Sequence, residues 1–239
     1  PSRKGSLTKP LALCSIDALT NPLQQIRDRN NQISGFQTEI LNLTKKLENL
    51  LSEEKTPKLP SIIEPQCTWE AHDNPEAGFH KLYELLNTEK FQDVILFSSD
   101  PKFNQSKGEL YYITGVAYHL IGNNDLALSN FNTAIEKEFI TPFLYFNMGN
   151  ALRGAQRPIE GLEAYRKALK MFPSFSECRH NICLGLIETG NIEEAELELR
   201  KLLRDQPSYY QASFCLANLL RDHKRIPEAV EAFRLCLQF

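Results

Sequence analysis

The sequence predicts an all-α protein: a superhelical solenoid of stacked helix–turn–helix units, preceded by a coiled-coil-like helix. Three observations predict it. From residue 108 onwards, five small or large positions recur every 34 residues. Residues 26–50 carry apolar side chains in a seven-residue rhythm. Between the two regions lie Pro57, Pro60, Pro65 and Pro75, whose locked φ and missing amide donors rule out a continuous helix.

Composition bounds the function classes. The chain has 239 residues, 42% apolar and 24% charged, which suits one or two ordinary globular domains. A net charge of −3 gives no bulk attraction to nucleic acid or anionic lipid. Residues 1–60 hold nine Lys/Arg against six Asp/Glu, and residues 61–239 hold 18 against 24, so the two regions differ mildly in sign. No apolar run approaches the ~20 residues of a membrane-spanning helix. The chain starts at Pro1 without a signal-peptide pattern, so a piece of a longer protein is expected. Six cysteines, at 14, 67, 178, 183, 215 and 236, form no CxxC pair. Reduced thiols in a cytoplasmic protein are the expectation, with no metal and no cofactor.

Taken in order, residues 1–20 show no sustained period and are expected to be a disordered tail. Asn21-Pro22 opens a helix over 21–55, since Asn caps free amides and Pro suits the first turn. Ile26, Ile33, Ile40 and Leu47 form one heptad series; Phe36, Leu43 and Leu50 form the other, with Arg29 interrupting it. Ile-rich and Leu-rich series of this kind favour a two-stranded parallel coiled coil. Two uses stay open for a helix of about 35–40 Å: homodimerisation, or docking on the neighbouring domain. Residues 56–75 form the proline-rich linker, where Ile62, Ile63 and Trp69 suggest contact with a surface.

The repeat region covers 76–239. Ala127, Gly161, Ala195 and Ala229 share one register; Phe131, Tyr165, Leu199 and Phe233 share another. Gly115, Gly149, Cys183 and Ala217 form a third, Tyr118, Leu152, Leu186 and Leu220 a fourth, and Ala134, Ala168, Leu202 and Cys236 a fifth. Small residues let two crossed helices approach, and bulky neighbours fill the space beside them. The units are 108–141, 142–175, 176–209 and a truncated 210–239. Residues 76–107 read as a degenerate unit cut short at Pro101. With no capping helix after Phe239, more repeats or another domain are expected to follow.

This 34-residue code resembles the tetratricopeptide repeat family over residues 108–239. The resemblance implies a right-handed superhelix whose first helices line an inner groove. It places Asn147, Asn150, Asn181 and Asn218 on that groove, with the aromatics Tyr112, Phe146 and Phe214, and His180. Arg153 and Arg221 fall there too and would favour an acidic ligand. An Asn amide donates and accepts as a peptide backbone does, so a row of them could grip an extended chain, as in the similar asparagine ladder of O-GlcNAc transferase repeats. The bland alternative is that these amides bond neighbouring helices or solvent. A carboxylate clamp like that of chaperone-binding relatives fits worse: Asn150 and Asn181 match, but Phe146, Gln211 and Cys215 stand where its cations belong.

No constellation for catalysis emerges. The five histidines are scattered, and the glycines serve packing and turns. The expected function is a scaffold binding an extended segment of a protein partner. The alternative is the substrate-recruiting region of a larger transferase, such as a glycosyltransferase, with its catalytic domain beyond residue 239.

Overall fold

The computed structural model describes residues 31–47, 49, 75–100 and 107–238. The expectations for 1–30, for Ile26 and Leu50, for the linker up to residue 74 and for Pro101 lie outside them. Among the described residues there is no strand. Helix α1 covers 31–47. Five helix pairs follow: α2 (Pro75–Asn87) with α3 (Phe91–Ser98), α4 (Gly108–Leu120) with α5 (Asn124–Glu136), α6 (Pro142–Gly154) with α7 (Pro158–Met171), α8 (Ser176–Glu188) with α9 (Ile192–Asp205), and α10 (Tyr210–Asp222) with α11 (Ile226–Cys236).

Local chemistry sets these boundaries. The Thr141 hydroxyl accepts from the Leu144 amide at 3.0 Å, capping α6, and Pro142 fills its first position. The Asn123 side chain caps α5 in the same way, accepting from the Leu126 amide. The turns inside the repeating pairs share one geometry. Gly122, Gln156, Gly190 and Lys224, each 34 residues apart, have φ of 84°, 59°, 77° and 60°. In each turn the following amide reaches back to a carbonyl of the first helix: Asn123 to Tyr118, Arg157 to Leu152, Asn191 to Leu186 and Arg225 to Leu220, at 2.8–2.9 Å. This left-handed cap satisfies carbonyls that the helix end would otherwise orphan.

Consecutive helices pack on one another from α2 to α11. The backbones of the first helices of the pairs, α2, α4, α6, α8 and α10, also approach one another; those of the second helices, α3, α5, α7, α9 and α11, stand farther apart, and α7, α9 and α11 are bridged by long charged side chains. The first helices are therefore the inner wall of a curved stack, and the second helices are splayed along its outside. The small and large registers explain the tight pairing. Phe131, Tyr165, Leu199 and Phe233 are fully buried. A β-carbon built on Gly149 would sit 2.5 Å from Tyr165 Cε1, and one on Gly115 would sit 2.6 Å from Phe131 Cε1. The rings occupy the space that the missing side chains leave.

Helix α1 lies against the far end of the stack. Ile40 and Leu47 are buried within the core formed by the later repeats, and Phe36 and Leu43 pack at its edge. Ile33 stays 46% exposed. Cys178, Cys183, Cys215 and Cys236 are free thiols. Burial pushes Cys178 and Cys183 up to about 12 and Cys215 up to about 11, so all three stay protonated at neutral pH.

Candidate functional site

Along α4 the inner wall is closed. Tyr112, Ile113 and Val116 are all buried. Tyr112 stacks obliquely on Phe139, with ring centroids 5.4 Å apart, and only its hydroxyl is engaged beyond the core, accepting from Asn147 Nδ2 at 3.0 Å. Phe146 behaves similarly. It is buried between Phe175, 4.8 Å away by centroid, and Tyr165, 6.0 Å away. Sequence register places both rings on the groove side. The structure turns both inward, because an aromatic on a concave wall finds more apolar contact between helices than over water.

The open wall runs along α6, α8 and α10. Here the sequence-selected amides meet. Asn150 Oδ1 accepts from Tyr165 Oη at 2.7 Å and from Asn181 Nδ2 at 2.8 Å. Two donors on one oxygen fix both amides. Asn150 is left to offer its Nδ2, and Asn181 its Oδ1. The buried Tyr165, which burial pushes up to about 12, stays a donor at all ordinary pH. Asn218 is separate: its Nδ2 donates to the Phe214 carbonyl of its own helix at 3.0 Å.

The two arginines are both occupied. Arg153 grips Glu188 with two guanidinium nitrogens, Nε reaching Oε2 at 3.0 Å. Arg221 pairs with the adjacent Asp222 at 3.1 Å. Their charge is largely spent within the chain. Glu188 and Tyr165 were not selected from sequence. The signal for Glu188 was its offset of 35 residues from Arg153, one repeat plus one. Tyr165 was read only as a packing residue.

Past Asn181 the wall becomes apolar. A cleft of about 570 Å³ opens between α8 and α10, lined by Leu184, Ile187, Phe214, Cys215 and Asn218 among others. Leu47 of α1 forms part of its border. His180 stands at the edge, ring to ring with Tyr209 at 5.7 Å, its Nε2 buried without a partner. Burial, and secondarily the charge of Arg153, lowers its pKa to about 4, so the ring is neutral at pH 7. Among the described residues, no group of three His, Cys, Asp or Glu is placed to hold a metal, and no helix is long and apolar enough to cross a membrane.

Comparison with known proteins agrees with this architecture. The family model described as tetratricopeptide repeat matches residues 184–238. The described helices superpose on solved repeat structures along most of their length. The fold is a tetratricopeptide-repeat solenoid. MamA residues 41 to the end, from Desulfovibrio magneticus RS-1, aligns with a TM-score of 0.63 at 12% identity, over 70% of this chain and 95% of that one. YrrB, whose structure is described as a TPR protein with an unusual peptide-binding site, aligns with a TM-score of 0.58 at 16% identity, over 69% of this chain and 86% of that one. In sequence, the peroxisomal targeting signal receptor of Kluyveromyces lactis is 29% identical over 104 residues, 44% of this chain. The chain spans 17% of that receptor's length. Tetratricopeptide-repeat proteins generally mediate protein–protein interaction.

Proposed function

We propose that this tetratricopeptide solenoid is a non-catalytic scaffold that binds an extended segment of a protein partner along α6, α8 and α10. The observation that carries the reading is the oriented amide pair. Asn150 and Asn181, locked by each other and by Tyr165, offer one donor and one acceptor side by side. A peptide bond presents the complementary pair, whatever its side chain. The cleft beyond them supports selection of an apolar side chain downstream. With Arg153 and Arg221 already paired, net acidity of the ligand contributes little. If a transferase domain follows residue 239, the same wall presents the substrate to it.

The test is a peptide array on the full chain, followed by fluorescence polarisation on a hit. Asn150→Ala or Asn181→Ala should weaken binding by about 3- to 10-fold each, the worth of one or two backbone hydrogen bonds. Circular dichroism should be unchanged. An unaltered Kd in both variants would remove the amide pair from recognition. Homodimerisation through α1 would compete with its docking on the chain's own repeats, since Ile40 and Leu47 are buried there while Ile33 of the same heptad series stays exposed. Light scattering on the full chain at rising concentration reads it directly.

A further inference from the structure

The outer wall carries a repeated ion pair. Arg166 of α7 meets Glu194 of α9 at 3.3 Å, and Arg200 of α9 meets Glu228 of α11 at 3.2 Å. Arg166, Arg200 and Arg234 are 34 residues apart and share one register. In the first two, the carboxylate comes from the second helix of the next pair. For Arg234 of α11 it comes from Glu39 of α1, 195 residues away, reached by Nε at 3.0 Å and by the terminal nitrogen at 2.7 Å. Such exposed pairs hold little by themselves, but they mark register. Helix α1 supplies what a following repeat supplies elsewhere in the stack.

The apolar contacts agree. Leu219 of α10 and Ala232 and Cys236 of α11 are buried in the cluster that also holds Ile40 and Leu47. Leu47 reaches the cleft border beside Cys236 and Leu219. Glu39 and Leu47 are about 12 Å apart along a helix, so α1 extends from the outer helix α11 to the inner cleft.

We propose that the end of the stack, α10 and α11 with the adjoining cleft, is a helix-docking surface, and that α1 is its built-in ligand. The surface takes an amphipathic helix with a carboxylate directly before the first of two apolar anchors seven residues apart, the pattern of Glu39, Ile40 and Leu47. A partner protein bearing such a helix occupies the surface by displacing α1. The hold of α1 suits exchange: among its described residues only Ile40 and Leu47 are buried, the ion pair is salt-sensitive, and Ile33 and Leu41 face water. This surface shares the α8–α10 cleft with the proposed peptide wall but not the Asn150–Asn181 pair, so the Asn variants and the α1 variants fail independently.

The experiment uses a fluorescein-labelled peptide of residues 31–50 and two full-length chains, the natural one and Ile40→Asp/Leu47→Asp, in which α1 is released. Polarisation should show the released chain binding the peptide at least about ten-fold more tightly, since only the natural chain must first lose α1. Adding Arg234→Glu to the released chain should weaken binding by about 2- to 5-fold, and a peptide with Glu39→Arg should recover it. Equal binding by both chains, or no rescue by the charge exchange, overturns the proposal. Hydrogen exchange on the natural chain guards against a released variant that does not fold. Amides of 36–47 should be protected relative to the free peptide and lose that protection when excess unlabelled peptide is added. Exchange at the free-peptide rate from the outset also overturns it.

Discussion

Gly149→Ala sets two effects of opposite sign against each other. Gly149 lies inside α6, where alanine should gain about 1 kcal/mol of helix propensity. The new methyl would sit 2.5 Å from Tyr165 Cε1 and 2.6 Å from Cδ1, where contact distance is about 3.5–4.0 Å. The ring must therefore move by about 1 Å. Tyr165 is fully buried, so the ring cannot relax outward into solvent. Its hydroxyl is anchored on Asn150 at 2.7 Å. Overpacking of this kind costs about 1–3 kcal/mol, and a weakened hydrogen bond adds about 0.5–1.5 kcal/mol. Net destabilisation should be about 1–3 kcal/mol, a fall of roughly 3–10 °C in Tm for a repeat domain of this size. Calorimetry and urea titration both read it. Tyr165→Leu on the same background, which copies the Cys183–Leu199 pairing, should recover part of the loss. Ala217→Gly is the control: alanine already coexists with Phe233 there, so glycine should cost about 1 kcal/mol. If Gly149→Ala were neutral or stabilising, propensity would outweigh packing, and the small-large code would not explain the fold.

Three further outcomes are expected. His180, with its pKa lowered to about 4 by burial, makes the folded state bind a proton less readily than the unfolded one. That stability is intact above about pH 6.5 and is lost as pH falls towards 4. His180→Leu should flatten this stretch of the pH–stability curve, and parallel curves would refute the assignment. Gln156→Gly should stabilise the fold by about 0.5 kcal/mol, since relief of a left-handed side chain exceeds the entropy that glycine loses; a lower Tm would contradict it. Thr141→Ala should cost about 1 kcal/mol by uncapping α6, read as a lower urea midpoint with unchanged slope.

The helix pairs were legible because their code is local. Thirty-four residues suffice to write a small register, a large register and a turn, and four copies repeat them. The groove was legible only as a strip of candidates. Asn150 and Asn181 were among those candidates, and the contact their amides make through one oxygen with Tyr165 depends on side-chain geometry across two helix pairs. Tyr112 and Phe146 carry the right residue numbers for the wall and point away from it, because their rings are drawn into the interior.

By itself, then, the sequence determined the repeating helix pair, because its small and large registers lie less than one repeat apart and pack against each other. The tertiary structure alone decided the partner of Arg153, the orientation of the asparagine amides and the seat of α1. A heptad stripe specifies that a helix must bury one face, not what it buries it against. That choice was made by the shape of α10 and α11, whose register leaves Arg234 facing Glu39 across 195 residues of chain.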